Sequence, residues 1–205
     1  SLMTGGERPS MLIKVVGEGT RRMAAAPIGE MFVIHGPLGK PWPLPAADEL
    51  AVLVAGGVGV APMVFLADTL QRAGRPVHSI YGGRSAVDLP LVEPLARCGE
   101  VSLTTEDGSR GERGLVTAAL ERLLDERQSK LRIYTCGPHG MMAAVAAIAE
   151  KRGLPCEASL EAPMGCGYGV CLGCAVAKRA GGFLYTCVDG PCVDAASVDW
   201  SQRVF

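Results

Sequence analysis

Apolar and polar positions change rhythm three times along this chain. In the middle, short apolar runs alternate with longer stretches that repeat every three or four residues. Leu50–Ala55, Val77–Tyr81, Val101–Thr105, Leu131–Cys136 and Cys156–Leu160 are apolar or β-branched runs of strand length. Helical patterns separate them: Ala61–Ala73, a weaker one near Leu91–Cys98, Leu115–Glu126 and His139–Lys151. In the third of these, Leu115, Ala119 and Leu123 share one face. Strands that lack polar alternation are buried on both sides, and β–α repetition sets them parallel. The middle of the chain therefore predicts an α/β fold, a parallel sheet with helices on both faces.

The flanks read differently. Ahead of the sheet, Met11–Val16 and Met31–His35 have strand character, and Gly36-Pro37-Leu38-Gly39 with prolines 41, 43 and 45 form a break. After Glu161, short strands around Ala175–Lys178 and Phe183–Thr186 flank a Gly181-Gly182 hairpin turn. This gives three segments: 1–46, 47–160 and 161–205. Ser1-Leu2 ahead of Met3 reads as a cloning remnant.

Composition narrows the function classes. The 205 residues are 48% hydrophobic with a formal net charge of −1, which suits one large or two small globular domains. There is no basic tract to serve as a nucleic-acid footprint. Leu50 to Ala67 is uncharged and near membrane-span length, but Gly56, Gly57, Gly59 and Pro62 interrupt it, so a strand, a turn and a helix are expected, and no membrane association. Eight cysteines without a secretion-signal pattern point to a reducing cytoplasm.

The cysteines carry the most specific chemistry. Cys166, Cys171, Cys174 and Cys187 are spaced C-x4-C-x2-C-x12-C, the first three within a glycine-rich loop. That is the plant-type spacing for a [2Fe–2S] cluster, which needs four thiolates. Glycines let a backbone fold around sulfur and turn its N–H groups inward. Zinc also takes four cysteines, usually as two short knuckles, and stays open as the rival metal. Cys98 and Cys156 read as buried small hydrophobes, and Cys192 as a bystander near Cys187.

Glycine-rich turns mark a second site. Gly57, Val58, Gly59, Val60 and Pro62 lie in the turn from the first sheet strand into a helix, where a dinucleotide pyrophosphate docks. Cys136, Gly137, Pro138 and Met141 end another strand, with Cys136 pointing into the cleft. Tyr81, Gly82, Gly83 and Arg84 end a third. The tract Glu106-Asp107-Gly108-Ser109 ends a fourth, and either meets ribose or adenine or is a solvated turn. Arg84 suits a 2′-phosphate, so NAD and NADP both stay open. His139 reads as a surface or capping residue, and His35 and His78 as structural.

Together these elements resemble the ferredoxin–NAD(P)H reductase superfamily, and within it the electron-transfer subunits of class 1B, NAD-linked dihydroorotate dehydrogenase. Gly-Gly-Val-Gly-Val-Ala-Pro-Met at 56–63, Tyr81–Arg84, Glu106–Ser109, Cys136–Pro138, Glu161–Gly167 and Cys187–Pro191 carry the likeness. The resemblance implies a nucleotide-binding domain, preceded by a partial FAD-binding β-barrel and followed by a small cluster domain. It implies that Gly19 and Thr20 meet FAD phosphates, that Asp107 is a nucleotide contact and that Cys136 lies near the nicotinamide. The family's barrel is larger than the residues ahead of Leu50 provide, so a shortened barrel is expected. The implied activity is electron shuttling among NAD(H), FAD and a [2Fe–2S] cluster. The implied partner is a dihydroorotate-oxidising flavoprotein subunit, in a heterotetramer serving pyrimidine biosynthesis. The alternatives are a reductase subunit for ferredoxin, sulfite reductase or a hydrogenase, and a zinc-bearing nucleotide-binding module.

Overall fold

The computed structural model describes residues 2–5, 8–127 and 129–202. The chain opens with β1 (Leu2–Thr4), β2 (Ser10–Met11) and α1 (Glu18–Ala25). Alternation then begins: β3 (Leu50–Gly56), a 3-10 turn at Gly57–Gly59, α2 (Val60–Arg72), β4 (Val77–Gly83), α3 (Val92–Ala96), β5 (Glu100–Thr105), β6 (Glu112–Arg113), α4 (Val116–Glu126), β7 (Leu131–Cys136), α5 (His139–Arg152) and β8 (Cys156–Ser159). The tail adds β9 (Ala175–Ala177), β10 (Phe183–Tyr185) and β11 (Cys192–Asp194).

A seven-stranded sheet runs in the order β11-β8-β7-β3-β4-β5-β6. Every pairing is parallel except β11 with β8, which is antiparallel. The chain lays down β3, β4, β5 and β6 in one direction, then returns to place β7 and β8 on the other side of β3. The direction of winding thus reverses between β3 and β7, and such a reversal opens a crevice at the carboxyl ends of the two strands.

Burial explains the uninterrupted apolar strands. Along β3, Ala51, Leu53 and Ala55 enter a core with α2 and α3, while Val52 and Val54 enter a second core with α4 and α5. Successive side chains point to opposite faces, so a strand covered on both sides is apolar throughout. Helix α5 ends at Gly153, whose φ of 65° gives the left-handed cap that glycine adopts without a Cβ clash. In α4, Ala119 and Leu123 are buried as the pattern predicted. Leu115 is instead the residue before the helix and is 59% exposed.

The tail is built onto the nucleotide sheet. Strand β11 is the sheet's edge, and Val176, Leu184, Val193, Ala195 and Val198 join the core of α4 and α5. The expected β9–β10 hairpin forms around Gly181-Gly182, both at positive φ.

The N-terminal segment departs from expectation. Of the expected first strand, Met11–Val16, only Met11 lies in a strand, at the end of β2 paired with Leu2–Thr4, and Met31–His35 joins no ladder among the described residues. Strand-prone side chains form a strand only where a neighbouring backbone offers pairing, and the 31–35 stretch has none there. Residues 18–25 form a helix because Thr20 Oγ1 accepts the Val16 and Gly17 N–H groups at 3.0 and 3.1 Å, fixing the first turn. Trp42 packs edge-on against Tyr134, whose hydroxyl donates to the Pro43 carbonyl at 2.9 Å, anchoring the proline-rich break to the sheet. Among the described residues no helix is long and apolar enough to cross a membrane.

Candidate functional site

Two adjoining cavities, of about 480 and 230 Å³, open at the crevice between β3 and β7. Gly57, Val58, Gly59, Cys136, Gly137 and Pro138 line the smaller one. Gly82, Gly83, Arg84, Pro138 and Met141 line the larger. The two glycine turns meet because each lacks a side chain: a Cβ on Gly59 would overlap the Cys136 carbonyl, and one on Gly56 would stand 2.6 Å from Met141 Sδ. Helices α2 and α5 both begin at this lip, neither with a side-chain cap nor an acidic residue in its first turn. Two helix starts without side-chain caps aim positive dipole ends at the lip, which suits a pyrophosphate, although at α2 the Val60 N–H is engaged by the preceding 3-10 turn.

Not every expected nucleotide contact reaches the cleft. Tyr81 is fully buried behind the turn, with its hydroxyl 3.1 Å from the Gly57 carbonyl and 3.0 Å from the Asp88 carbonyl. Burial pushes its phenol pKa up, so it remains a donor. Val60 is likewise buried, and Pro62 sits in the first turn of α2. Asp107 is drawn into its own turn: its carboxylate accepts from the Ser109 hydroxyl at 2.6 Å and the Ser109 N–H at 2.9 Å, which hold its pKa down. Gly19 and Thr20 stand on α1 and line neither cavity, and the Thr20 hydroxyl is engaged within its own helix. Cys136 is 2% exposed, and burial, then the nearby Glu161 carboxylate, push its thiol up to about 12, so it is a neutral wall of the cleft.

Sequence reasoning missed Lys14, which lines both cavities, and Thr104, whose buried hydroxyl has no partner among the described residues and which lines the larger one. Thr104 is the second-last residue of β5, near the carboxyl edge where ligands bind, so that strand's position was the available signal. No sequence signal marked Lys14. Leu115, expected in the core, lines the larger cavity.

The four expected cysteine ligands lie in the tail as two pairs. Cys174 and Cys187 are buried with their sulfurs 3.2 Å apart. Cys166 and Cys171 interact with each other in the exposed loop. Cys166 Sγ accepts the Cys171 and Tyr168 N–H groups, each at 3.4 Å. Those bonds, Cys171's first, lower its thiol pKa to about 6. The loop needs left-handed backbone at Gly167 (φ 81°), Gly169 (76°) and even Leu172 (58°), a conformation that costs a leucine roughly 1 kcal/mol. Among the described residues no three His, Cys, Asp or Glu groups converge on a single metal position. Two thiolates on each side is the arrangement a two-iron cluster takes, whereas zinc wants all four on one atom. The residues therefore fit the cluster. Cys192, in β11, is a partly buried thiol whose pKa burial raises to about 12, in keeping with a bystander.

Comparison with known proteins finds a family match for the nucleotide sheet and another for the tail. Residues 53–147 match the family described as oxidoreductase NAD-binding domain, and residues 161–199 match the iron-sulfur cluster binding domain of dihydroorotate dehydrogenase B. The probable dihydroorotate dehydrogenase B (NAD(+)) electron transfer subunit of Methanopyrus kandleri is 41% identical over 95% of this chain and 70% of its own length. The corresponding subunit of Caldanaerobacter subterraneus is 36% identical over 97% of this chain and 76% of its own. A solved NADH-dependent reduced ferredoxin-NADP oxidoreductase, studied for flavin-based electron bifurcation, superposes with a TM-score of 0.82 at 31% identity, covering 92% of this chain and 68% of that one. The match of the tail to that iron-sulfur domain, and relatives 41% and 36% identical over nearly the whole chain, show that this protein belongs to the family of dihydroorotate dehydrogenase B electron transfer subunits.

Proposed function

We propose that this chain shuttles electrons among NAD(H), FAD and a [2Fe–2S] cluster, to or from a dihydroorotate-oxidising partner subunit of cytoplasmic pyrimidine biosynthesis. The observation that carries the reading is the presence, in one chain, of a cleft for a dinucleotide and two thiol pairs for a two-iron cluster. When bound, a flavin takes a nicotinamide's hydride as an electron pair and passes electrons singly to an iron–sulfur centre.

The chain's own residues supply placement. Gly57, Val58 and Gly59 bring backbone close to the pyrophosphate, with the starts of α2 and α5 facing it. Cys136, Gly137 and Pro138 close the narrow end, where the neutral Cys136 thiol excludes water without adding charge beside the nicotinamide. Thr104 and Arg84 face the wider end, open to the adenosine half. Cys166, Cys171, Cys174 and Cys187 hold the cluster, and the N–H groups of Tyr168 and Cys171 stabilise its anionic sulfur. Gly19 and Thr20, as placed, lie apart from the cleft, so FAD enters this proposal through the reductase-type fold and the electron count rather than through those two residues.

A second reading, a subunit serving ferredoxin, is favoured by the likeness to the ferredoxin-NADP oxidoreductase. Co-expression with a dihydroorotate-oxidising subunit separates the two. Co-purification and dihydroorotate-dependent NAD⁺ reduction support the first. Absence of a complex, with ferredoxin reduction by NADH, supports the second.

A further inference from the structure

Residues 35–40 lie across both halves of the cysteine cage. The His35 ring packs on Tyr168 with centroids 4.4 Å apart, and His35 Nδ1 is 3.3 Å from the Tyr168 hydroxyl. Tyr168 in turn places its N–H on Cys166 Sγ. A Cβ on neighbouring Gly167 would stand 3.1 Å from Leu38 and 3.2 Å from His35, so this face of the ligand loop is closely covered. At the other half, the Lys40 N–H donates to the Gly190 carbonyl, and Lys40 bridges to Pro191, just beyond Cys187. A Cβ on Gly39, whose φ is 69°, would overlap that Gly190 carbonyl. One short segment far from the tail in sequence therefore touches the three-cysteine loop on one side and the fourth-ligand segment on the other.

We propose that residues 35–40 are a clamp on the cluster site, with His35 as its positioning residue: by holding Tyr168, His35 keeps the Tyr168 N–H on Cys166 Sγ. The proposal rests on the cluster reading above. Cys171 and Tyr168 are solvent-exposed, and positive-φ residues leave the loop's conformation dependent on outside support. Hydrogen bonds to ligand sulfur govern how firmly a cluster is kept and the environment its electrons see.

The test uses the full chain, purified anaerobically with its iron, as wild type, His35→Ala, His35→Asn and Tyr168→Phe. Two quantities are read: the rate of iron release to a bathophenanthroline chelator, and the electron paramagnetic resonance line positions after dithionite reduction. His35→Ala should release iron about tenfold faster, the lower end of what losing an outer hydrogen-bond partner does to a metal site, and shift the resonance lines. His35→Asn, which retains an acceptor for the Tyr168 hydroxyl, should stay close to wild type. NADH affinity, measured by calorimetry, should be unchanged throughout, because His35 does not line the cleft. Release rates and lines identical to wild type in His35→Ala would overturn the clamp. If that variant does not fold, Tyr168→Phe decides: faster release supports the clamp, an unchanged rate overturns it. Wild-type protein with no iron and no resonance would overturn the cluster reading, and the clamp with it.

Discussion

Tyr81 shows how a motif can lie beside a site yet work from behind it. Its single O–H, shared between the Gly57 and Asp88 carbonyls, braces the phosphate turn. Tyr81→Phe removes that one buried donor, which should cost roughly 1–3 kcal/mol of stability. NADH affinity should fall by about three- to tenfold as the turn loosens. Denaturant titration and calorimetry check both, and wild-type values in each would show that the hydroxyl braces nothing. Gly59 has a related lesson. Its lack of a side chain lets the β3 turn pass the Cys136 carbonyl, so Gly59→Val should impair folding as well as NADH binding. Full stability with lost binding would instead mean crowding of the ligand alone. Cys136 gives a pH prediction. A raised pKa keeps the thiol protonated below about 12, so iodoacetamide should leave it unmodified in the folded protein at neutral pH and label it after unfolding. Rapid labelling of folded protein, located by mass spectrometry, would contradict that. The motif residues were legible because glycine and cysteine spacings are chemical requirements. Which face of the backbone each side chain takes was not, as Tyr81 and Asp107 show.

At the level of elements, the central strands and helices were legible because burial on both faces leaves apolar runs that nothing else explains. β6 and β11 were not, since two or three residues carry no periodicity and form strands only because an edge is there to pair with. The 31–35 stretch failed in the opposite sense, with strand-like side chains and no ladder among the described residues. Helix α1 was missed because none of its residues is buried, so no apolar face marks it, and its start is fixed by the Thr20 hydroxyl alone. The tail's sharing of the sheet's core was also unseen, and it has a consequence for stability. Leu184, 5% exposed, packs in the core that includes Val145 of α5 and Ile133 of β7. Leu184→Ala should cost about 2–5 kcal/mol. Cysteine cage and nucleotide cleft should then melt in one transition, followed by visible absorbance and NADH protection together. Two separated transitions would mean that the tail folds alone.

In the whole molecule, a cleft suited to a two-electron carrier and a cage suited to a one-electron centre share a single sheet. The cleft lies where the sheet reverses its winding, the cage where the tail returns to the sheet's edge. Cys174→Ser should abolish or destabilise the cluster yet leave NADH affinity in place, because Cys174 lines neither cavity. Loss of NADH binding in that variant would show that the two sites depend on each other for folding. Metal analysis and electron paramagnetic resonance of oxygen-protected protein after reduction decide whether the tail holds a two-iron cluster. About two irons per chain and a paramagnetic signal equal to a single electron are expected. Stoichiometric zinc with no signal on reduction would contradict that cluster.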